Sequence, residues 1–186
     1  MKRVLVCLAP GFEEIEALTV VDVLRRGGVE VIVGGTIEGP IEGRSGISVL
    51  ADMSLDEIDA ERLDMIVLPG GMPGATNLKE DLRVQDIVQS LHKRGKYIAA
   101  ICAAPTVLSA LGLLEGKRVT SFPSVKDQLS ETDYREERVV VDGNLITSRS
   151  PGTAMEFAMK LLELLCGREV MEKVNQGVMA KLSPSD

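Results

Sequence analysis

Aromatic side chains are scarce in this chain of 186 residues: three Phe, two Tyr and no Trp. The core must therefore be built from Val, Leu, Ile, Ala and Met. Cysteine is sparse too. Cys7, Cys102 and Cys166 are an odd number with no C-x-x-C pair, and His92 is the single histidine. That argues against a disulfide framework and a Cys/His zinc site, and it fits reduced thiols in a cytosolic compartment. Cationic excess is lacking as well. Lys and Arg number 21 against 28 Asp and Glu, a net charge of −7. Nucleic acid and anionic membrane surfaces both need a basic face, so neither is expected as the main partner. Long apolar runs are missing. Val4–Ala9 is stopped by Pro10, short of the ~7–15 apolar residues of a secretory core, and reads as a buried first strand. The longest uncharged stretch, Tyr97–Leu114, is broken by Pro105 and Gly112 and falls short of the ~20 residues that span a bilayer.

What is present is an ordinary globular composition, 45% hydrophobic and 26% charged. At this length a single domain over 1–186 is expected, burying roughly 70% of its unfolded surface. Strand and helix patterns alternate along it. Val4–Ala9 is a strand and Glu13–Arg26 a helix, with Ala17, Val20, Val21 and Leu24 on one face and Gly27-Gly28 as its stop. Val29–Val33 is a second strand. Gly34–Gly46 is a glycine-rich loop with room for short strands at its edges, and Ile47–Ala51 is a short strand. Asp64–Pro69 is a strand. Leu82–Arg94 is an amphipathic helix, its apolar positions being Leu82, Ile87, Val88 and Leu91. Tyr97–Cys102 is a strand, Ala104–Leu114 a helix and Arg118–Ser121 a short strand. Arg138–Asp142 and Asn144–Ser148 form a hairpin about Asp142-Gly143. Thr153–Cys166 is a helix capped by Gly167, and Arg168–Ala180 is a last short helix, followed by a frayed tail from Leu182 to Asp186. Such alternation implies an α/β fold, a mostly parallel sheet with helices on both faces.

Ligands of open parallel sheets bind beyond the carboxyl ends of the strands. Three segments lie there: Pro10–Glu16, Gly70–Gly74 and Cys102–Pro105. Cys102 closes an apolar strand and opens an alanine-rich helix, much like a nucleophile elbow. A helix N-terminus there would favour thiolate. The plainer alternative is a buried structural cysteine. Glu13, Glu14 and Glu16 suit a helix's first turn, where carboxylates meet the dipole. A buried one among them would instead have a raised pKa and could pass a proton to or from the thiol. Helical periodicity leaves Glu13 and Glu16 as rivals for that inward position. Pro69-Gly70-Gly71-Met72-Pro73-Gly74 is no Walker or dinucleotide motif. It is either a turn or a place where backbone N–H groups meet an anion. His92 sits late in a polar helix segment, which leaves no imidazole base for a thiol protease or amidotransferase.

Four motifs, in order along the chain, carry a resemblance: Ala9-Pro10-Gly11-Phe12-Glu13-Glu14-Ile15-Glu16, Leu68-Pro69-Gly70-Gly71, Ala99-Ala100-Ile101-Cys102-Ala103-Ala104-Pro105-Thr106 and Thr147-Ser148-Arg149-Ser150-Pro151-Gly152-Thr153. Together they resemble the ThiJ/PfpI superfamily, in the branch of the Parkinson-disease protein and its bacterial YajL-like relatives. The resemblance implies a flavodoxin-like sandwich and a homodimer. It implies an oxidation-prone nucleophile at Cys102, a protonated partner at Glu16, and oxyanion amides at Gly71 and Ala103 beside Gly70. Arg149, Pro151 and Phe122 would line the pocket. It further implies cofactor-independent glyoxalase or deglycase chemistry on small dicarbonyls or their protein and nucleotide adducts, or else redox sensing with chaperone-like protection. No metal is implied. Two departures stand out. Phe122 occupies a position that is histidine in some members, and Arg44-Ser45-Gly46 reverses a Ser-Arg-Gly segment that, with a match to Arg26, binds anions. Ala103 replaces the histidine that protease members carry after the cysteine.

Overall fold

The structure, a computed structural model, describes residues 1–129 and 131–180; the expected frayed tail from Leu182 lies outside them. The elements are β1 (Arg3–Leu8), α1 (Glu14–Arg26), β2 (Glu30–Gly35), β3 (Pro40–Glu42), β4 (Ser48–Leu50), β5 (Met53–Ser54), β6 (Met65–Leu68), α2 (Gly74–Glu80), α3 (Leu82–Lys93), β7 (Tyr97–Ile101), α4 (Pro105–Ala110), β8 (Arg118–Val119), β9 (Asp133–Tyr134), β10 (Val139–Asp142), β11 (Leu145–Ser148), α5 (Ala154–Cys166) and α6 (Arg168–Val178). Seven strands form one sheet in the order β10-β11-β7-β6-β1-β2-β5. All neighbours are parallel except the β10–β11 hairpin. The run β2-β1-β6-β7-β11 is the 2-1-3-4-5 order of a flavodoxin-like fold, with β1 at the switch point.

Strand alternation divides the core in two. Val4, Val6 and Leu8 pack with the apolar faces of α1, α5 and α6. Leu5, Cys7 and Ala9 pack with α2, α3 and α4 on the opposite face. Strands covered on both sides read as continuous apolar runs; β6 is buried throughout, and β1 and β7 are buried at every position after their half-buried first residues, Arg3 and Tyr97. In α5, Ala154, Phe157, Ala158, Leu161, Leu162 and Leu165 are all buried, as their spacing predicts.

Some expectations fail for local reasons. α2 is absent from the sequence reading because it is short and opens on glycine. Leu82 is 71% exposed, since it is the first residue of α3, and Val84 takes the buried place. The segment expected as a strand from Arg118 to Ser121 is ordered as β8 only at Arg118–Val119 and pairs with β9 outside the main sheet. The helix expected over Ala104–Leu114 is confined to Pro105–Ala110. Within the glycine-rich loop, β3 pairs with β4 as a separate antiparallel hairpin.

Candidate active site

β7 ends at Ile101, and Cys102 has φ +65°, one of three non-glycine residues with positive φ among those described. For a residue with a side chain, this left-handed conformation costs about 1–2 kcal/mol. Its neighbours enforce it. The Cys102 N–H donates to the Ser148 carbonyl at 2.9 Å, and the Cys102 carbonyl accepts from the Phe122 N–H at 2.8 Å. The Ala104 N–H folds back on the Ile101 carbonyl at 3.1 Å, closing the turn. The elbow expected from sequence is thus present as a backbone fact.

The β6 turn supplies the opposite wall. A Cβ on Gly70 would lie 2.6 Å from Cβ of Cys102 and 2.7 Å from Oε2 of Glu16, so only glycine fits between them. The Gly70 N–H donates to Oε2 of Glu16 at 2.7 Å, and its carbonyl accepts from the Glu13 N–H at 2.9 Å. Gly71, at φ +88°, turns the chain so that its own N–H faces the Cys102 sulfur. The Ala103 N–H faces it too. The two amides named from the sequence therefore meet at the sulfur, whereas Gly70 serves the carboxyl.

Glu16 is the inward glutamate, fully buried in the first turn of α1. Burial pushes its carboxyl up to about 7, against hydrogen bonds from Cys102 and the Gly70 N–H. Its Oε1 is buried with no hydrogen-bond partner of normal geometry. Burial, and then the charge and hydrogen bond of Glu16, push the Cys102 thiol up to about 12, while the Gly71 and Ala103 N–H groups pull it down. The two groups titrate as one pair. When Glu16 holds the proton, the charge opposing Cys102 vanishes, and a carboxyl O–H joins two N–H groups around the sulfur. An undonated, buried Oε1 is where that proton costs least. This corrects the expectation that the elbow by itself favours thiolate: burial and the Glu16 carboxylate hold the proton on sulfur. α4 begins three residues later and is short; the Gly71 and Ala103 amides are the groups that lower the thiol, and burial with Glu16 outweighs them.

Glu13 and Glu14 are buried as well, not solvated at the helix end. Glu13 lies 3.5 Å from the Arg44 guanidinium, and that cation acts on Glu16 in turn. Glu14 accepts from the Ser45 N–H at 2.8 Å and the Ile47 N–H at 3.4 Å. Sequence reasoning missed both attachments, because they join α1 to a turn some 30 residues away. Arg26 pairs with Asp22 along its own helix at 3.1 Å, so Arg26 and Arg44 are each matched with a carboxylate. Arg149 donates to the Glu136 carbonyl at 2.8 Å. Pro151 opens a single 3-10 turn, Pro151–Thr153. Their segment reaches the elbow through the Ser148 backbone. Phe122 reaches it directly through its N–H. His92 is exposed at the end of α3, which runs to the amino edge of the sheet, so it stands far from the elbow. Cys7 lies buried in β1 and Cys166 at the end of α5.

Residues 2–164 match the model of the DJ-1/PfpI family. The chain is 45% identical to protein dj-1beta of Drosophila melanogaster over 96% of its own length and 97% of the relative's. It is 39% identical to a Caenorhabditis elegans protein named glutathione-independent glyoxalase DJR-1.2, covering 90% of this chain and 91% of that one. The crystal structure of Drosophila DJ-1beta superposes with a TM-score of 0.94 at 44% identity, covering 97% and 99% of the two chains. Oxidized Toxoplasma gondii DJ-1 gives 0.94 at 36% identity, covering 98% and 100%. With four ordered motifs and these likenesses in sequence and fold over nearly its whole length, the chain belongs to the DJ-1/PfpI family.

Proposed function

We propose that the protein is a cysteine-dependent glyoxalase acting on small 2-oxoaldehydes, with deglycase action on their protein or nucleotide adducts as an extension of the same chemistry. The observation that carries this is the apposition of a buried Glu16 carboxyl and a Cys102 sulfur faced by two N–H groups. The Cys102 thiolate attacks the aldehyde carbon. A C–S bond forms, the carbonyl π pair moves to oxygen, and the Glu16 proton neutralises that oxygen as a hemithioacetal. Glu16, now a carboxylate, takes the C1 proton; the C–H electron pair becomes the C1–C2 double bond of an enediolate as the C2 carbonyl pair moves to its oxygen. Glu16 then returns that proton to C2 while the C1 hydroxyl proton passes to the C2 oxygen, giving a 2-hydroxyacyl thioester. Water gives a proton to Glu16 and its hydroxyl to the acyl carbon, the C–S bond breaks, and the hydroxy acid leaves with thiolate and acid restored. The Gly71 and Ala103 N–H groups stabilise the oxyanions of attack and hydrolysis. Proton transfer of this kind contributes typically 10²–10⁴-fold.

The named activity of the nematode relative supports this reading. The test is methylglyoxal consumption: Cys102→Ser is expected to abolish it and Glu16→Gln to slow it about 10²–10⁴-fold. A Cys102→Ser variant that keeps parental turnover overturns the proposal.

A second reading rests on the same amides, which would equally hold a sulfinate on Cys102, and a structural relative is described as oxidized. On that reading the protein is a redox sensor or protective protein. Mild peroxide should then add oxygen to Cys102 before Cys7 or Cys166, read by peptide mass spectrometry. We also propose a homodimer, supported by the exposure of Ile15 and Leu18 on α1, of Ile47 just before β4 and of Leu50 at its end.

A further inference from the structure

Two exposed apolar residues adjoin the backbone groups that hold Cys102. Met72 directly follows Gly71, whose N–H faces the sulfur; it is 57% exposed, with its thioether accepting from the Thr76 hydroxyl at 3.8 Å. Phe122 donates its N–H to the Cys102 carbonyl and is 41% exposed. The other two phenylalanines, Phe12 and Phe157, are fully buried. Ala75 of α2, Ala103 of the elbow and Val125 after Phe122 form an apolar cluster of their own, separate from both main cores. Three segments that meet at the nucleophile thus place small buried apolar groups together and leave two large ones in solvent. The charged side of the site differs: the cation acting on Glu16, Arg44, is already matched by Glu13.

We propose that Phe122 and Met72 form a specificity surface for an apolar arm, so that the preferred substrate carries an aliphatic or aromatic substituent rather than a carboxylate or a sugar-like chain. The inference rests on the glyoxalase reading, and it names the substrate class of the same site. An exposed aromatic ring one hydrogen bond from the nucleophile's backbone gains by covering apolar surface. A half-open surface supplies the lower part of the 10–200-fold range that apolar contacts give in discrimination.

The test compares kcat/KM for phenylglyoxal, methylglyoxal and the polar 3-hydroxy-2-oxopropanal in the parent, Phe122→Ala, Phe122→Leu, Met72→Ala and Met72→Leu. In parallel, the rate of Cys102 alkylation by N-benzyliodoacetamide is compared with that by iodoacetamide. The parent is expected to favour phenylglyoxal over the polar aldehyde by about 10-fold or more. Phe122→Ala should cut the phenylglyoxal preference about 10-fold, Met72→Ala less, and the Leu variants should restore most of it. The alkylation ratio should follow the same order. A parent with no preference in either assay overturns the proposal, and so do Ala variants that slow all three aldehydes equally. A parent that turns over no aldehyde, yet keeps an alkylation preference that Phe122→Ala erases, overturns the glyoxalase reading and upholds the apolar surface.

Discussion

At Cys102 the chain accepts a costly backbone angle, and the return is position. The left-handed bend carries the sulfur between the Gly71 and Ala103 N–H groups and against Glu16. Glu16 shows the energetic counterpart. Its folded value of about 7 stands above the ordinary 4.5 because burial disfavours the charge. The folded protein therefore binds this proton more tightly than the unfolded chain does. The stabilisation is fully present below pH 4.5 and is lost as pH rises through 7, a change of roughly 3 kcal/mol. Glu16→Gln removes it. The urea midpoint of the variant, compared with the parent's, should gain between pH 4.5 and 8; a constant difference across that range would contradict the buried, protonated acid.

At the scale of elements, the start of α1 and the residue before it divide three glutamates among three tasks. Glu13 meets Arg44, Glu14 holds the turn between β3 and β4, and Glu16 meets the sulfur. Burial works against the Glu14 charge, but the backbone N–H bonds bring its pKa below the usual glutamate value. Removing this carboxylate leaves the Ser45 and Ile47 N–H groups without their acceptor. Glu14→Ala is expected to cost about 1–3 kcal/mol and to speed hydrogen exchange at those two amides, with little change in α5. Unaltered exchange at Ser45 and Ile47 would show that the turn stands without Glu14.

At the scale of the whole molecule, the strand order brings the ends of β6, β7 and β11 side by side at one edge of the sheet. The loops carrying Gly71, Cys102 and Ser148 then converge without any long excursion. The same architecture leaves Ile15, Leu18, Ile47 and Leu50 outside both cores. Exposed apolar side chains grouped near one another mark an association surface. Sedimentation should show a dimer, and Ile47→Asp or Leu50→Asp should shift it toward monomer while the far-ultraviolet spectrum is kept. A chain that sediments as a monomer before substitution would refute the dimer.

Much of this was legible from local pattern. The unbroken apolar runs of β1, β6 and β7 announced strands covered on two faces, and the i, i+3, i+4 spacing in α1 and α5 marked the helices, because periodicity is a property of neighbours in sequence. The four motifs likewise pointed to Cys102, Glu16, Gly71 and Ala103. Periodicity alone left Glu13 and Glu16 open, and it said nothing of Arg44 reaching Glu13 or Glu14 reaching Ser45. Those contacts join segments about 30 residues apart, and only folding sets such distances. The proton balance of Cys102 was also beyond local reading. Whether a thiol is raised or lowered depends on burial and on which donors surround it in space, and chain order encodes neither directly.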